Sequence, residues 1–213
     1  MDSAVHEIGA DVFRDCTNLV SVMLNEGLEK IGSYAFRECI SLKSITIPST
    51  VQEIGGSAFR DCTDMVSVEL YEGLEKIGSN AFHGCRSLKS ITIPSTAQVI
   101  GWSAFRDCTN LVSMKLHKEL EKIGSNAFRN CRSLNSITTP STVQEIGEDA
   151  FRDCTDLVSV KLHKGLQRIG AGAFYACGSL KSITIPSTVQ VIGGSAFRGC
   201  KVWWACSFKR GYR

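Results

Sequence analysis

The sequence contains no run of about 18 apolar residues, the length that a membrane-spanning helix needs. Residues 1–7 lack the basic and then apolar pattern of a signal peptide. No Asn-x-Ser/Thr sequon occurs at any position. These absences predict a protein with no membrane span and a cytoplasmic location by default. If the chain is a fragment that has lost its export signal, a cell-surface location is expected instead.

An excess of positive charge is also missing from residues 1–200. The net charge is +3, but four of the 24 Lys and Arg residues follow residue 200. The remaining 20 basic residues are balanced by 21 acidic residues. This balance predicts that nucleic acid is not a partner.

Patterns that indicate catalysis or metal binding are absent. No CxxC pair occurs, and His117 and His163 are 46 residues apart in a chain that has four histidines. The chain repeats every 23 residues, so 46 residues correspond to two stacked units. Two units are about 10 Å apart, which is too far for a shared metal or a nucleophile–base pair. We therefore expect no enzymatic activity, no cofactor and no metal site.

What the sequence does contain is a repeat. An Ile-Gly pair recurs every 23 residues from Ile8 to Ile192, and each pair is followed by Phe and Cys at fixed offsets, as in Phe36 and Cys39. A fixed period of this size indicates stacked units that bury their apolar faces on their neighbours. We predict nine such units over residues 1–200, forming one solenoid.

The units alternate between two types. Residues 17–62, 63–108, 109–154 and 155–200 therefore align as four tandem copies of 46 residues. After residue 200, the segment 203–208 still fits the strand pattern, with Trp203, Cys206 and Phe208 at its apolar positions. We predict that residues 201–213 form a degenerate last strand and a basic tail.

Nine of the ten cysteines occupy one column of the repeat. A single column at a constant spacing favours small apolar residues that fill a core over a disulfide scaffold, which would show varied spacings. We expect these thiols to be buried and reduced, although cross-linked neighbours remain the alternative.

Each unit contains a short apolar–polar alternation, as in residues 42–47, where Ile45 and Ile47 alternate with Ser44 and Thr46. This alternation predicts a half-buried strand. Equivalent strands are expected at residues 19–24, 65–70, 88–93, 111–116, 134–139, 157–162 and 180–185. A second, brief extended segment is expected at the Ile-Gly pair.

A single helical turn is predicted after the Ile-Gly pair. Asp, Ser or Asn lies two residues before the Phe in most units, as at Asp11, Ser57 and Asn80, and these residue types are favoured helix N-caps. Phe and Cys then follow at i and i+3, so both are expected to face the core.

The Leu-x-x-Ile-x-Ile strand resembles a leucine-rich repeat. The second half, Ile-Pro-Ser-Thr-Val-Gln-Glu-Ile-Gly followed by Ala-Phe-Arg-x-Cys, resembles the BspA-type leucine-rich repeat over residues 1–200. The resemblance implies a β-rich, right-handed coil with a parallel sheet on its concave side and short helical turns on its convex side. It also implies a role in protein recognition or adhesion. Because the family has no shared catalytic centre, no catalytic residue carries over.

Variable residues of the predicted concave face are the candidate binding surface. Acidic residues occupy its first half and basic residues its second half, together with one tyrosine and two histidines. The candidate residues are Glu26, Glu69, Tyr71, Glu72, Lys115, His117, Lys118, Lys161, His163 and Lys164. Drift on a solvated face is the alternative explanation of this polarity.

We therefore predict a non-catalytic protein-binding module with an unknown protein partner. Met1 aligns with the middle of a repeat, so the solenoid ends are expected to be open, and a second copy of the chain is a candidate partner. An architectural spacer, or a partial copy of a longer array without its own ligand, is the alternative function.

Overall fold

The computed structural model describes residues 5–201, which form a coil of stacked turns. Each 23-residue unit contributes one turn, and parallel strands from successive turns form ladders along the coil. The predicted strand at residues 203–208, including Cys206, lies outside the described residues. The solenoid predicted from the repeat period is therefore confirmed for the part of the chain that the structure describes.

One ladder consists of nine two-residue strands in sequence order, each built from the Ile of an Ile-Gly pair and the residue before it. They are β1 (Glu7–Ile8), β2 (Lys30–Ile31), β4 (Glu53–Ile54), β6 (Lys76–Ile77), β8 (Val99–Ile100), β10 (Lys122–Ile123), β12 (Glu145–Ile146), β14 (Arg168–Ile169) and β15 (Val191–Ile192). We call this surface the Ile-Gly ladder. The brief extended segment predicted there is confirmed.

The second set of strands has three residues each. They are β3 (Ser44–Thr46), β5 (Ser67–Glu69), β7 (Ser90–Thr92), β9 (Ser113–Lys115), β11 (Ser136–Thr138) and β13 (Ser159–Lys161). In five of the six, the middle side chain is buried between two exposed ones, as the alternation predicts. In β9, Met114 is only partly buried.

Two details of the strand prediction are wrong. Residues 19–24 form no strand, and the segment 180–185 contributes only an isolated bridge between Thr184 and Lys161. The second set is also divided into a four-stranded sheet, β3-β5-β7-β9, and a two-stranded sheet, β11-β13. A single sheet would require hydrogen bonds between β9 and β11. These two strands are neighbours, but they are not hydrogen-bonded to each other.

The predicted helical turns are also wrong. Residues 5–201 contain no helix, and hence none that could cross a membrane. The segment from Gly55 to Cys62 forms three overlapping i→i+3 turns. They are closed by Ala58 N–H to Gly55 O (3.3 Å), Arg60 N–H to Ser57 O (3.1 Å) and Cys62 N–H to Phe59 O (3.3 Å). We call these segments the Phe turns.

Left-handed residues explain why these segments are not helical. Ser57 and Asp61 occupy the third positions of the first and last of these turns, with φ of 56° and 58°. Positive φ at this position is the mark of a type II turn and is incompatible with a right-handed helix. Asp, Asn and Ser are therefore present for left-handed geometry or local hydrogen bonding, and their interpretation as N-caps is wrong.

The Phe turns are also bonded to one another. Ser57 N–H donates to Ser79 O (2.8 Å), Phe59 N–H to Ala81 O (2.8 Å) and Asp61 N–H to His83 O (2.7 Å). Equivalent bonds recur between successive turns. The backbone is therefore linked between neighbouring turns on this side of the coil as well as in the strand ladders.

The core consists of identical residues stacked in columns. Neighbouring rings of the Phe column lie 5.0–5.4 Å apart between centroids and are nearly parallel. Cys39 to Cys177 are buried, and each Sγ donates to the carbonyl of the Phe 26 residues earlier, as from Cys85 to Phe59 (3.1 Å). The prediction that the Phe and Cys columns fill the core is confirmed.

Candidate functional site

The three-residue strands present their outward side chains on one surface. We call this surface the strand face and define it as the exposed side chains of β3, β5, β7, β9, β11 and β13 and of the loops that follow them. All six strands begin with an exposed serine, so this column is uniform. Variation, and with it any capacity for recognition, begins at the last strand residue.

Long and short side chains alternate along this face. β5, β9 and β13 end in Glu69, Lys115 and Lys161, whereas β3, β7 and β11 end in Thr46, Thr92 and Thr138. Proline follows each of these threonines two residues later. Rows of the same type are two strands apart, roughly 10 Å. The strand face therefore consists of tall charged rows separated by low rows of Thr and Pro.

Nine of the ten predicted site residues occupy the tall rows. Glu69, Lys115 and Lys161 are strand residues, and six others lie in the loops that follow: Tyr71, Glu72, His117, Lys118, His163 and Lys164. Glu26 follows residues 19–24, which form no strand, and it adjoins the face at Ser49 in the loop after β3. The three glutamates, the four lysines and Tyr71 are exposed, whereas the two histidines are partly buried.

The acidic side chains of this face are held by hydrogen bonds. Ser95 donates its Oγ–H (2.8 Å) and its N–H (3.2 Å) to the carboxylate of Glu72, and Thr96 N–H also donates to it (3.2 Å). The bonds from Ser95 hold the pKa of Glu72 below its ordinary value. Thr46 donates to Glu69 (3.1 Å) and Ser49 to Glu26 (3.2 Å). The acidic side chains of this half are thus held in place by hydrogen bonds.

The basic side chains of this face have no acidic partner within residues 5–201, which the structure describes. Among residues 5–201, no ion pair includes Lys115, Lys118, Lys161 or Lys164. Each strand neighbour of Lys115 and Lys161 within the named strands is a threonine. Their charges are therefore available to a ligand.

Many charges on the other two surfaces are paired. On the Ile-Gly ladder, Nζ of Lys76 lies 2.8 Å from Oε1 of Glu53, and Nζ of Lys122 lies 3.0 Å from Oε2 of Glu145. Nζ of Lys30 lies 3.2 Å from Oε1 of Glu7. Surface pairs of this kind stabilise a fold little.

Charges on the Phe turns are paired as well. Nη2 of Arg37 lies 2.9 Å from Oε1 of Glu38, and Nη1 of Arg152 lies 3.3 Å from Oδ2 of Asp149. A depression of about 480 Å³ on this side contains both Arg106 and Asp107 among its lining residues. The surface of the Phe turns therefore carries paired charges of both signs.

A larger cavity of about 660 Å³ lies on the strand face. Four of the predicted residues line it: Lys115, His117, Lys118 and His163. Its other lining residues are Ser95, Met114, Leu116, Ser136, Thr138, Thr139, Pro140 and Ser141. We call this cavity the Thr138 groove, because it lies over the low row of Thr138 and Pro140. The other six predicted residues lie outside it.

Sequence reasoning missed Thr139 as a residue of this groove. It replaces Ile47, Ile93 and Ile185 of the other copies, and it is buried. Its Oγ1 accepts the N–H of His163 (3.3 Å), and its carbonyl accepts a hydrogen bond from Nδ1 of His163. The signal was available, because Thr139 is a polar residue in an apolar column.

Neither histidine is arranged for catalysis. Lys115 and Lys161 lie in strands on either side of β11, so His117 and His163, two residues further on, are also about 10 Å apart. Among residues 5–201, no group of three or more His, Cys, Asp or Glu side chains is placed to hold a metal ion.

Comparison with known proteins identifies relatives of the repeat. The family model for the BspA type leucine rich repeat region matches residues 1–110 and 75–202, with six copies. No curated protein matches the chain.

Three solved structures are similar to the chain. A leucine rich repeat protein of T. pallidum is 32% identical, with a TM-score of 0.69, and the match covers 87% of this chain and 80% of that one. A leucine-rich repeat protein of Bacteroides ovatus is 27% identical, with a TM-score of 0.58, over 92% of this chain and 68% of that one. A leucine rich cell surface protein of Faecalibacterium prausnitzii is 25% identical, with a TM-score of 0.51, over 93% and 69%.

Proposed function

Because the chain belongs to the BspA-type leucine-rich repeat family, we propose that it is a non-catalytic protein-binding module that recognises its partner through the strand face. One observation carries this proposal. The four lysines of the basic half have no acidic partner among residues 5–201, whereas lysines of the Ile-Gly ladder do, as in Lys76–Glu53 and Lys122–Glu145. Repeat solenoids commonly use an extended surface of this kind for binding.

The charges of the strand face predict the charge pattern of the partner. Glu69 and Glu72 lie towards one end of the coil, and Lys115 and Lys161 towards the other. A complementary partner carries positive charge opposite the first pair and negative charge opposite the second. Complementary charges of this kind set orientation and rate of association more than affinity.

An adhesion-related role at a cell surface is the biological setting that we propose. The similar Faecalibacterium prausnitzii protein is described as a cell surface protein. An adhesin module needs a binding surface on a rigid array, and the stacked turns supply one.

Charge reversal tests the role of the strand face. Partners are captured from the source on the immobilised chain and identified by cross-linking and mass spectrometry. Lys115→Glu with Lys161→Glu is expected to abolish capture while the melting curve barely moves, because neither lysine is paired with an acidic described residue. Lys89→Glu with Lys181→Glu is the matched control: it changes the net charge equally, at exposed positions directly before Ser90 of β7 and before the equivalent Ser182.

Unchanged capture by the Lys115 and Lys161 variant contradicts the proposal. In that case the strand face has no role in binding, and the architectural spacer becomes the better explanation. Loss of capture with the Lys89 and Lys181 control contradicts it equally, because binding would then depend on net charge alone.

A second copy of the chain is the second candidate partner. The acidic and basic halves of one face complement those of an antiparallel copy, and this arrangement predicts a dimer that dissociates in high salt. Sedimentation at low and high ionic strength tests it. A monomer at every ionic strength excludes self-association and leaves a foreign partner.

A further inference from the structure

The Thr138 groove lies where the repeat pattern is broken. Four copies of 46 residues allow each position to be compared with its equivalents. Five residues of the copy 109–154 replace a residue that the other three copies share, and three of the five lie in or beside the groove. Met114 replaces valine, Thr139 replaces isoleucine and Glu119 replaces glycine. Two of the three line the groove, and the third lies in the loop that adjoins it.

Glu119 changes the course of the loop. The equivalent Gly73 and Gly165 have φ of 115° and 135°, and a Cβ on either would lie 2.3 or 2.0 Å from a serine carbonyl oxygen 24 residues earlier. Glu119 has a Cβ and is not among the described residues with positive φ. The loop therefore departs from its equivalents beside Ser95, the matching serine, which lines the groove.

Met114 and Thr139 shape the floor of the groove. The equivalent Val68 and Val160 are each 7% exposed, whereas Met114 is only partly buried. Thr139 binds both the backbone and the ring of His163 and so places that ring at the groove. The groove also lies at the interruption between β9 and β11. The result is an apolar floor of Met114, Leu116 and Pro140.

The rim of the groove is basic. Lys115, Lys118, His117 and His163 line it, and none of its lining residues is Asp or Glu. A ligand that satisfies both parts must place carboxylates at the rim and an apolar group on the floor. A cavity of about 660 Å³ lies in the range that ligand sites usually have.

We propose that the Thr138 groove binds an acidic peptide segment of the partner, in which an apolar side chain stands between two carboxylates. This inference rests on the proposed function, because a peptide is chosen over other anions on the ground that the strand face binds protein. The low row receives the apolar side chain, and the tall rows on either side receive the carboxylates. The basic half of the strand face would therefore recognise its ligand at one defined position, the Thr138 groove.

A labelled peptide tests the proposal. The probe is Gly-Ser-Glu-Phe-Glu-Ser-Gly with a fluorophore, titrated with the full chain and followed by anisotropy. Two control peptides carry Gln-Phe-Gln or Glu-Ala-Glu at the centre, and each is expected to bind about tenfold more weakly. Equal binding of either control overturns the proposal, as does full competition by millimolar inorganic phosphate, which would indicate a general anion site.

Variants of the chain test the position. Lys115→Gln with Lys118→Gln is expected to weaken the probe about tenfold, and the matched control Lys89→Gln with Lys181→Gln is expected to leave affinity within about twofold. Thr139→Ile restores the side chain of the other copies, so we expect weaker binding with an unchanged or higher melting temperature. If Thr139→Ile does not fold, the lysine pairs decide the question.

The outcome separates this inference from the proposed function. If the probe does not bind but partner capture depends on Lys115 and Lys161, only the peptide inference is wrong. If partner capture is independent of those lysines, the proposed function is wrong as well.

Discussion

The ring of Phe105 stacks on the ring of Phe128, with 5.3 Å between centroids and 5° between planes. Both side chains are fully buried. Each ring is part of a column that continues from Phe13 to Phe197, so a ring in the middle contacts an equivalent ring on each side. The column therefore couples each turn to the next through buried aromatic area.

Phe105→Ala is expected to cost roughly 3–5 kcal/mol of unfolding free energy, the usual cost of removing a buried Phe. Phe13→Ala is expected to cost less, because Phe13 is only partly buried. In a solenoid, stability comes largely from the interfaces between neighbouring turns. Urea melts of the two variants test the difference, and equal losses would contradict the stacked account.

Gly124→Ala is expected to destabilise the fold by about 1–3 kcal/mol. A Cβ at Gly124 would lie 2.8 Å from both the carbonyl carbon and the oxygen of Gly101. The two neighbouring turns would have to move apart to accommodate it. Gly178→Ala is the matched control, since a Cβ there meets no atom within 4 Å. It should be neutral or slightly stabilising. A Gly124→Ala protein that melts like the Gly178→Ala protein would show that the Gly column does not set the spacing of the turns.

The buried thiols are expected to make the fold sensitive to high pH. Burial raises the pKa of Cys39 to about 11, and it raises the pKa values of Cys85 and Cys131 well above the ordinary range. Unfolded cysteines ionise near pH 8.5. Above that pH the folded state retains protons that the unfolded state has lost, so stability falls as pH rises.

The expected slope is about 1.4 kcal/mol per pH unit for each thiol that is ionised only in the unfolded state. Urea melts under reducing conditions from pH 7 to pH 11 measure it. Replacing Cys85, Cys108 and Cys131 with Ala is expected to flatten the curve above pH 8.5, and the comparison removes the contributions of other titrating groups. The same slope in both proteins would show that the thiols are not protected by folding.

The sequence predicted the features that are common to every turn. Phe, Cys, Ile and Gly recur at 23-residue spacing because a turn must match its neighbours wherever the two are in contact. The period therefore located the Ile-Gly ladder and the columns represented by Phe36 and Cys39. The three-residue strands were predicted from their alternation, since Ile45 and its equivalents alternate with exposed polar residues.

Features that depend on backbone conformation were missed. Asp, Asn and Ser occur both at N-caps and at left-handed positions, so Ser57 and Asp61 did not distinguish a helix from a series of turns. In the candidate site, the ten residues were chosen from three variable columns of the predicted concave face, but only the structure shows which four share a cavity. Thr139 and Glu119 were visible in the sequence as departures from the repeat. Their effect on the shape of the groove could not be predicted, because it depends on how far the loop at Glu119 departs from the equivalent loops.

The last prediction concerns the rate at which an acidic ligand reaches the strand face. Lys115, Lys118, Lys161 and Lys164 have no acidic partner among residues 5–201, so their combined field extends into the solvent towards an approaching ligand. The Debye length is about 10 Å at 0.1 M salt, so this attraction is screened within a short distance at higher ionic strength. The association rate constant should therefore fall steeply with salt, while the dissociation rate constant changes less.

Stopped-flow measurements with the captured partner or the labelled peptide, whichever binds, follow both rate constants from low to high salt. Lys161→Gln should lower the association rate constant severalfold at low salt and leave it unchanged at high salt. Glu69→Gln should raise it, because it removes a repelling charge from the same face. Lys76→Gln is the control, since it changes the net charge equally to Lys161→Gln but lies on the Ile-Gly ladder, where Lys76 already pairs with Glu53. Association that is independent of salt, or that responds equally to Lys161→Gln and Lys76→Gln, would show that the unpaired lysines do not attract the ligand.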